Sequence, residues 1–500
     1  MVVQFLDKLP FHQLAFLSFL IVTIIFYKRL YTAPKNAKLP SPPKLPIIGS
    51  LFQRELRDTL PHRSLRTLSE QYGDLMLLHL GSNPTLVVSS AKGAEEIMKT
   101  HDTTFANRPY SKIAFLLLYN GKDLVFGKYG EHWRKIKSIC VLNMLSSKKV
   151  LSFRKIREEE VGIMVESVKK SKPNAPLNLS DSFSKIASDV VFRVSFGGKN
   201  YEGENFGGLL REFSEVHASF SIGYFIPWLG WIDEFNGVFF KARKVARLLK
   251  SFIQKRIEEH INGIDDERNE GERTRDMVDV LLEIQRNDST IDEDTVKALL
   301  MDMLAAGIET SATLLEWTMS ELLMHPLVLK KLQEEVRGFL KGKTLIDEDD
   351  LKDMVYLKAV IKEALRLHPP FPFLVLRESS QDARVQNYDI AAGTQVIINA
   401  WAIQRHPAYW DEPEEFRPER FINYSGNDFE FIPFGAGRRG CPGVAFANVE
   451  AELVLANLVG QFNWSLPGEV NKDSFMSESF AISLRRRDPL VAIPTPYSNN

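Results

Sequence analysis

The chain has 500 residues, enough for a large core, and 63 Lys and Arg stand against 64 Asp and Glu for a net charge of -1. With 44% hydrophobic and 25% charged residues it reads as an ordinary folded protein, and so balanced a charge speaks against nucleic acid as a partner. Two cysteines, Cys140 and Cys441, exclude a disulfide framework, a four-cysteine zinc site and a cysteine-held iron–sulfur cluster, so any thiol chemistry is solitary.

Residues 11–27 carry no charge and are mostly Leu, Ile, Phe and Val. At about 17 residues this is a short but sufficient membrane span, and the predicted anchor is residues 11–30. A cleaved signal peptide competes, but no basic region precedes the apolar run and no small-residue cleavage site follows it. Lys28, Arg29, Lys35, Lys38 and Lys44 follow the span, whereas only Lys8, beside Asp7, precedes it. That bias predicts a single-pass protein with residues 1–10 in the lumen and the rest in the cytosol, a reducing compartment that suits the two cysteines. LPSPPKLPIIG then closes a proline-rich hinge over residues 31–49, read as an extended spacer before a body over residues 50–500.

Within the body, helical patterns dominate and β-rich pieces such as residues 85–89 and 394–398 are few, so the fold class is mainly α with small β-sheets. The triple Glu158, Glu159, Glu160 reads as an exposed helix face. Residues 298–317, ALLMDMLAAGIETSATLLEW, are apolar nearly all round, which places a helix through the centre of the body. Residues 354–368 repeat Leu357, Val360, Ile361, Ala364 and Leu365 at helical spacing and stop at Pro369-Pro370. Glu363 and Arg366 lie three apart on that helix and can pair.

The last stretch of note is PFGAGRRGCPG, residues 433–443. Gly435, Gly437 and Gly440 match the dinucleotide-binding spacing G-x-G-x-x-G, but the strand before and the helix geometry that reading needs are missing. A cysteine nucleophile activated by Arg438 and Arg439 is a second reading, without a neighbouring histidine to act as base. A third is axial ligation of a flat cofactor by a single thiolate, since glycines let the backbone approach closely and amide N–H groups can point at sulfur.

PFGAGRRGCPG resembles the haem-binding signature F-x-x-G-x-R-x-C-x-G of the cytochrome P450 family at every fixed position. Three further segments resemble that family's motifs in the expected order. WRKIK, residues 133–137, places Trp133 and Lys137 where the family contacts a haem propionate. AAGIET, residues 305–310, resembles its oxygen-activation segment. KEALR with FRPERF, residues 416–421, resembles a buried triad, here Glu363, Arg366 and Arg420. The likeness runs over residues 40–495 and is nearest to plant A-type microsomal members of specialised metabolism.

The resemblance implies a cytochrome P450 fold, haem b with Cys441 as the iron ligand, and a monooxygenase using O2 and electrons from NADPH through NADPH–cytochrome P450 reductase. It implies Phe434 shielding the sulfur, Trp133, Lys137, Arg377 and Arg439 at the propionates, Ala306 against the haem, and Thr310 and Glu309 in oxygen activation. Lys137 stands where many relatives have arginine, and Leu376 where many have proline. The reductase is expected on a basic face around Arg134, Lys135 and Arg438, and the protein in the endoplasmic reticulum membrane. The carried-over pocket segments are residues 113–118, 220–225, 302, 303, 371–375 and 480–482, mostly apolar, so a small hydrophobic substrate of terpenoid, alkaloid or coumarin type is expected. Asp302 is the polar exception, either an anchor for a cationic amine or a structural pair or cap. The rival readings are a P450-fold enzyme that dehydrates, rearranges or cyclises without net oxygen insertion, and a haem carrier or sensor without turnover.

Overall fold

The computed structural model describes residues 39–51, 53, 60–172, 175–198, 206–262, 275–424 and 429–497. The expected anchor over residues 11–30 lies outside them.

Helices make most of the body. Those that build the site are α1 (Lys112–Leu117), α2 (Glu131–Ile139), α3 (Arg154–Lys169), α4 (Leu179–Phe196), α5 (Phe206–His217), α6 (Val238–Ile261), α7 (Glu293–Met324), α8 (Pro326–Phe339), α9 (Val355–Leu367) and α10 (Val444–Gln461). The all-round apolar stretch read from the sequence is the middle of α7. It runs longer at both ends because Asp292 caps its first turn, accepting the Thr295 N–H at 2.9 Å, and Pro326 halts it. Among the described residues, α7 is the one helix long and apolar enough to cross a membrane, and it lies in the core with α4, α9 and α10 packed around it. Gly307 permits a close approach of α4, since a Cβ there would stand 3.1 Å from Val191 Cγ2.

The two β-rich pieces read from the sequence pair with each other. β1 (Leu75–Leu80) and β2 (Asn83–Val88) form an antiparallel hairpin, β2 pairs in parallel with β4 (Gln395–Ile398) in the register Thr85↔Gln395, and β3 (Arg377–Glu378) closes the far edge of β4. A smaller hairpin of β5 (Glu478–Phe480) and β6 (Leu484–Arg486) turns through Ile482 and Ser483 above α7. Residues 39–50 run along the sheet rather than away from it: the Leu77 N–H donates to Pro40 O at 2.9 Å and the Ser50 N–H to His79 O at 2.7 Å.

The glutamate triple corrects its reading as an exposed face. Only Glu160 is buried, against Arg193 of α4, which also donates to the half-exposed Glu159, while Glu158 pairs with Arg154. The expected triad does assemble. Arg366 donates Nε and Nη2 to the two oxygens of Glu363 at 2.8 Å each, Arg420 Nε adds a third bond at 3.0 Å, and the first pair is fully buried.

Candidate active site

Cys441 sits between a tight turn and a helix. Gly437–Arg439 form one 3-10 turn, the Cys441 N–H donates to Phe434 O at 3.0 Å, and α10 starts three residues on. The Gly443 N–H points at Sγ from 3.3 Å. A thiol placed at the N-terminus of an 18-residue helix meets the positive end of its dipole. Burial pushes this thiol up, and the Gly443 N–H and the Lys137 ammonium pull against it. Cys441 is nonetheless exposed, because its side chain opens onto a cavity.

That cavity is lined by Cys441, Phe434 and Pro433 on one side and by Ala306, Gly307 and Thr310 of α7 on the other. Along its edge stand Trp133, Lys137, Arg377 and Arg439, all expected there, and Arg108, which was not. The three guanidiniums make few bonds to carboxylates. Arg108 donates to Val125 O at 2.9 Å and to Val375 O and Leu376 O at 2.7 Å each. Arg439 donates to Ala106 O at 2.7 Å, Leu124 O at 3.2 Å and Gly127 O at 2.6 Å. Arg377 donates to Ala436 O at 2.9 Å and reaches Asp102 at 3.4 Å. Burial, then repulsion from Arg377, pushes Arg439 down to about 9. Arg108 is pushed well down by burial and by Arg439 and Arg377. Guanidinium stays protonated in proteins, so these shifts mark positive charge crowded beyond what the wall neutralises.

Lys137 and Trp133 reach the cavity in specific ways. The Lys137 ammonium donates to Gly440 O at 2.6 Å, next to the thiol, and burial lowers its pKa. The Trp133 indole N–H is spent on Leu124 O at 2.9 Å, while its ring face carries the Arg439 guanidinium at 4.1 Å. Phe434 contributes both its side chain to the wall and its carbonyl to the Cys441 amide.

On α7, Thr310 Oγ1 donates to Ala306 O at 2.5 Å, a helix back-bond beside the cavity. Glu309 accepts from Ser214 Oγ of α5 at 2.6 Å and from Ser483 Oγ of the β5–β6 turn at 2.5 Å. Asp302 takes the structural option: its Oδ2 accepts the Leu124 N–H at 2.6 Å. Burial and the neighbouring Asp123 push Asp302 well up, and burial pushes Asp123 up to about 6.

Of the carried-over pocket segments, Leu118, Asp302, Met303, Phe371, Leu374, Val375 and Ile482 line the site. Residues 220–225 correct the expectation: Phe220 is exposed, and Phe225 O is tied to the Ser82 N–H at 2.8 Å over the β1–β2 turn. Phe213 and His217 at the end of α5, earlier in the chain, line the site instead. Cys140 packs in the core, fully buried, as a small apolar side chain.

The donor set fits a haem. A solitary thiolate meets an apolar slot, small residues face it across the slot, and three guanidiniums and an ammonium await two carboxylates at the rim. Such a site defines a haem-thiolate protein. A family model described as Cytochrome P450 matches residues 39–491. Cytochrome P450 736A117 of Prunus mume is 48% identical over 510 aligned residues, covering 99% of this chain and 97% of that protein. Cytochrome P450 71A25 of Arabidopsis thaliana is 48% identical over 490 residues, with coverages of 96% and 98%. Norfluorocurarine oxidase of Strychnos sp. is 45% identical over 495 residues, with coverages of 95% and 96%. A solved zebra fish cytochrome P450 with abiraterone superposes with a TM-score of 0.74 at 26% identity, over 88% of this chain and 100% of that one. The chain belongs to the cytochrome P450 family. It is accordingly a monooxygenase of the oxidoreductase class that binds haem through a thiolate and draws electrons from a redox partner.

Proposed function

We propose that this protein hydroxylates or otherwise oxidises a small hydrophobic plant specialised metabolite, of terpenoid, alkaloid or coumarin type, consuming O2 and two electrons from NADPH. One oxygen atom goes into the substrate and the other, with two protons, leaves as water. The observation that carries this reading is the shared cavity of Cys441 and the Ala306–Thr310 stretch of α7. Bound haem, with the Cys441 thiolate donating electron density to iron, supplies the cleavage of the O–O bond.

The chain's own residues supply the rest. Arg108, Arg377, Arg439 and Lys137 hold the propionate edge, and Trp133 positions Arg439 by stacking. Phe434 keeps water from the sulfur. Thr310 holds its hydroxyl proton on the Ala306 carbonyl beside the cavity, and Glu309, its neighbour, stands between the Ser214 and Ser483 hydroxyls as a carboxylate through which a proton can be passed. The apolar wall excludes water from the substrate. NADPH–cytochrome P450 reductase is the electron donor, docking where Arg134 and Arg438 stand exposed; Lys135 is partly engaged by Asp288.

The protein is placed by this reading in the endoplasmic reticulum membrane, with residues 1–10 lumenal, residues 11–30 spanning and the catalytic body cytosolic. An exposed apolar surface supports it: Phe220, Trp228, Trp231, Phe235 and Phe240 cluster in sequence and lie open, and Leu45 and Ile47 are open as well. The Phe225–Ser82 and Gly49–Leu80 contacts put both stretches at the same end of the β1–β2 hairpin.

Purified protein, reduced and exposed to carbon monoxide, is expected to show the strongly red-shifted absorption of thiolate ligation, and Cys441→Ser to lose it along with turnover. A serine variant that kept both would overturn the reading. With reductase, oxygen and NADPH consumption coupled to an oxygenated product separates it from dehydration or rearrangement.

A further inference from the structure

The distal end of the cavity is a chamber walled by Leu118, Phe126, Phe213, Ala305, Phe371 and Ile482. Five polar side chains face it: Asp302, Glu309, Thr310, Ser483 and His217. Four have their hydrogen bonds made inside the protein. Asp302 holds the Leu124 N–H, Glu309 the hydroxyls of Ser214 and Ser483, and Thr310 the Ala306 carbonyl.

His217 differs. It ends α5 beside Phe126 and Phe213, with ring centroids 4.8 and 6.1 Å away, and its Nε2 is buried without a hydrogen-bond partner. Burial alone pushes the imidazole down to about 4, with no charged neighbour acting on it, so the ring is neutral at pH 7. In a neutral imidazole Nε2 is either an N–H donor or a bare acceptor, and the apolar wall around it satisfies neither role. In a chamber built to take a small molecule, the missing partner is a group on that molecule.

We propose that His217 is a specificity-determining residue that takes a hydroxyl or carbonyl oxygen of a neutral substrate by a hydrogen bond. This rests on the monooxygenase reading and narrows its substrate class to neutral, already oxygenated molecules. An ammonium group finds no equivalent: the Glu309 carboxylate is engaged by two serines, and Asp302 is turned to Leu124.

The test is optical titration of the haem-loaded full chain with camphane, borneol, camphor and bornylamine, which share one bicyclic skeleton, and with decalin, 2-decalol and 2-decalone. The oxygenated member of at least one series is expected to bind about tenfold or more tighter than its hydrocarbon, and borneol or camphor tighter than bornylamine. In His217→Phe this preference should fall to about threefold or less with hydrocarbon affinity kept, while His217→Gln, which retains a donor and an acceptor, keeps most of it. Equal binding within both series, no spectral shift with any oxygenated probe, or an undiminished preference in His217→Phe would each overturn the proposal. Should the phenylalanine variant fail to load haem, the wild-type preference and the glutamine variant decide. Failure of the monooxygenase reading is distinguishable, because it would appear as a missing red-shifted carbon monoxide band before any titration.

Discussion

At Gly437 the backbone φ is +68°, and an added Cβ would lie 2.1 Å from Met98 O and 2.7 Å from Asp102 Oδ1. Both facts demand glycine, the first by conformation and the second by space. Gly437→Ala is expected to cost at least about 1–3 kcal/mol from backbone strain alone and to lower haem content per protein, read from the ratio of haem to protein absorbance. Glu363 carries a different kind of demand. It accepts from both Arg366 and Arg420 at no solvent exposure. Glu363→Leu leaves two buried guanidiniums short of an anion, with an expected loss of about 3–5 kcal/mol in urea unfolding, and an unchanged midpoint would show the pair to be dispensable. Residues such as Cys441 and Glu363 were legible because neighbours in the sequence carry their roles. Arg108 and His217 were not: Arg108 stands alone before a proline, and His217 acquires its meaning only when α5 lies against Phe126. A lone buried histidine in a helix leaves no periodic signal. Glu309 was legible as an acid beside Thr310, but its two serine donors come from 95 residues before and 174 after.

Element by element, the sequence was most informative where a helix buries one face or all of itself. The stretch 354–368 is α9 to within a residue, because Pro369-Pro370 ends it and the apolar spacing has no rival period. Short strands were harder, since a two-residue element such as β3 has no pattern and is defined by its partner β4. Between α7 and α9 the joint is a carboxylate that composition would not suggest. Glu321 accepts from His368 Nε2 at 2.6 Å, lies 3.2 Å from His325 Nδ1, and sits below Trp317 stacked on His368 at 4.1 Å. Burial by itself would raise this carboxyl, but the bonds from His325 and His368 and their attraction outweigh it and hold it down at about 2. A carboxyl depressed on folding stabilises the native state above its unfolded pKa, near 4.5, and that contribution is lost as pH falls from there toward 2. The shift corresponds to a stabilisation on the order of 3 kcal/mol at neutral pH. Urea unfolding of Glu321→Gln and the parent should therefore differ most at pH 7 and converge as pH drops below 4. A gap that stayed constant or widened in acid would contradict the sign.

For the whole molecule, sidedness is the property that the separate elements combine to make. In the proposed arrangement the thiolate loop, α2 and the exposed Arg134 and Arg438 face the redox partner. The apolar stretch after α5 and the chain around Leu45 and Ile47 belong to the end of the β1–β2 hairpin. Large apolar side chains left open in both stretches at one end of a hairpin mark an interaction surface. In the proposed arrangement it lies in the membrane interface, where tryptophan is favoured for its apolar body and polar edge. The distribution of tryptophan gives a direct test. The chain has 7. Trp133, Trp317, Trp401, Trp410 and Trp464 are buried in the body, whereas Trp228 is 66% and Trp231 61% exposed. Brominated phosphatidylcholine quenches indole only at contact depth, so replacing ordinary lipid by brominated lipid in vesicles carrying the full chain reads these two side chains alone. Fluorescence is expected to fall with brominated lipid, and Trp228→Phe with Trp231→Phe should abolish the difference while leaving the carbon monoxide spectrum intact. Equal fluorescence in the two lipids would mean that this surface faces water or another protein.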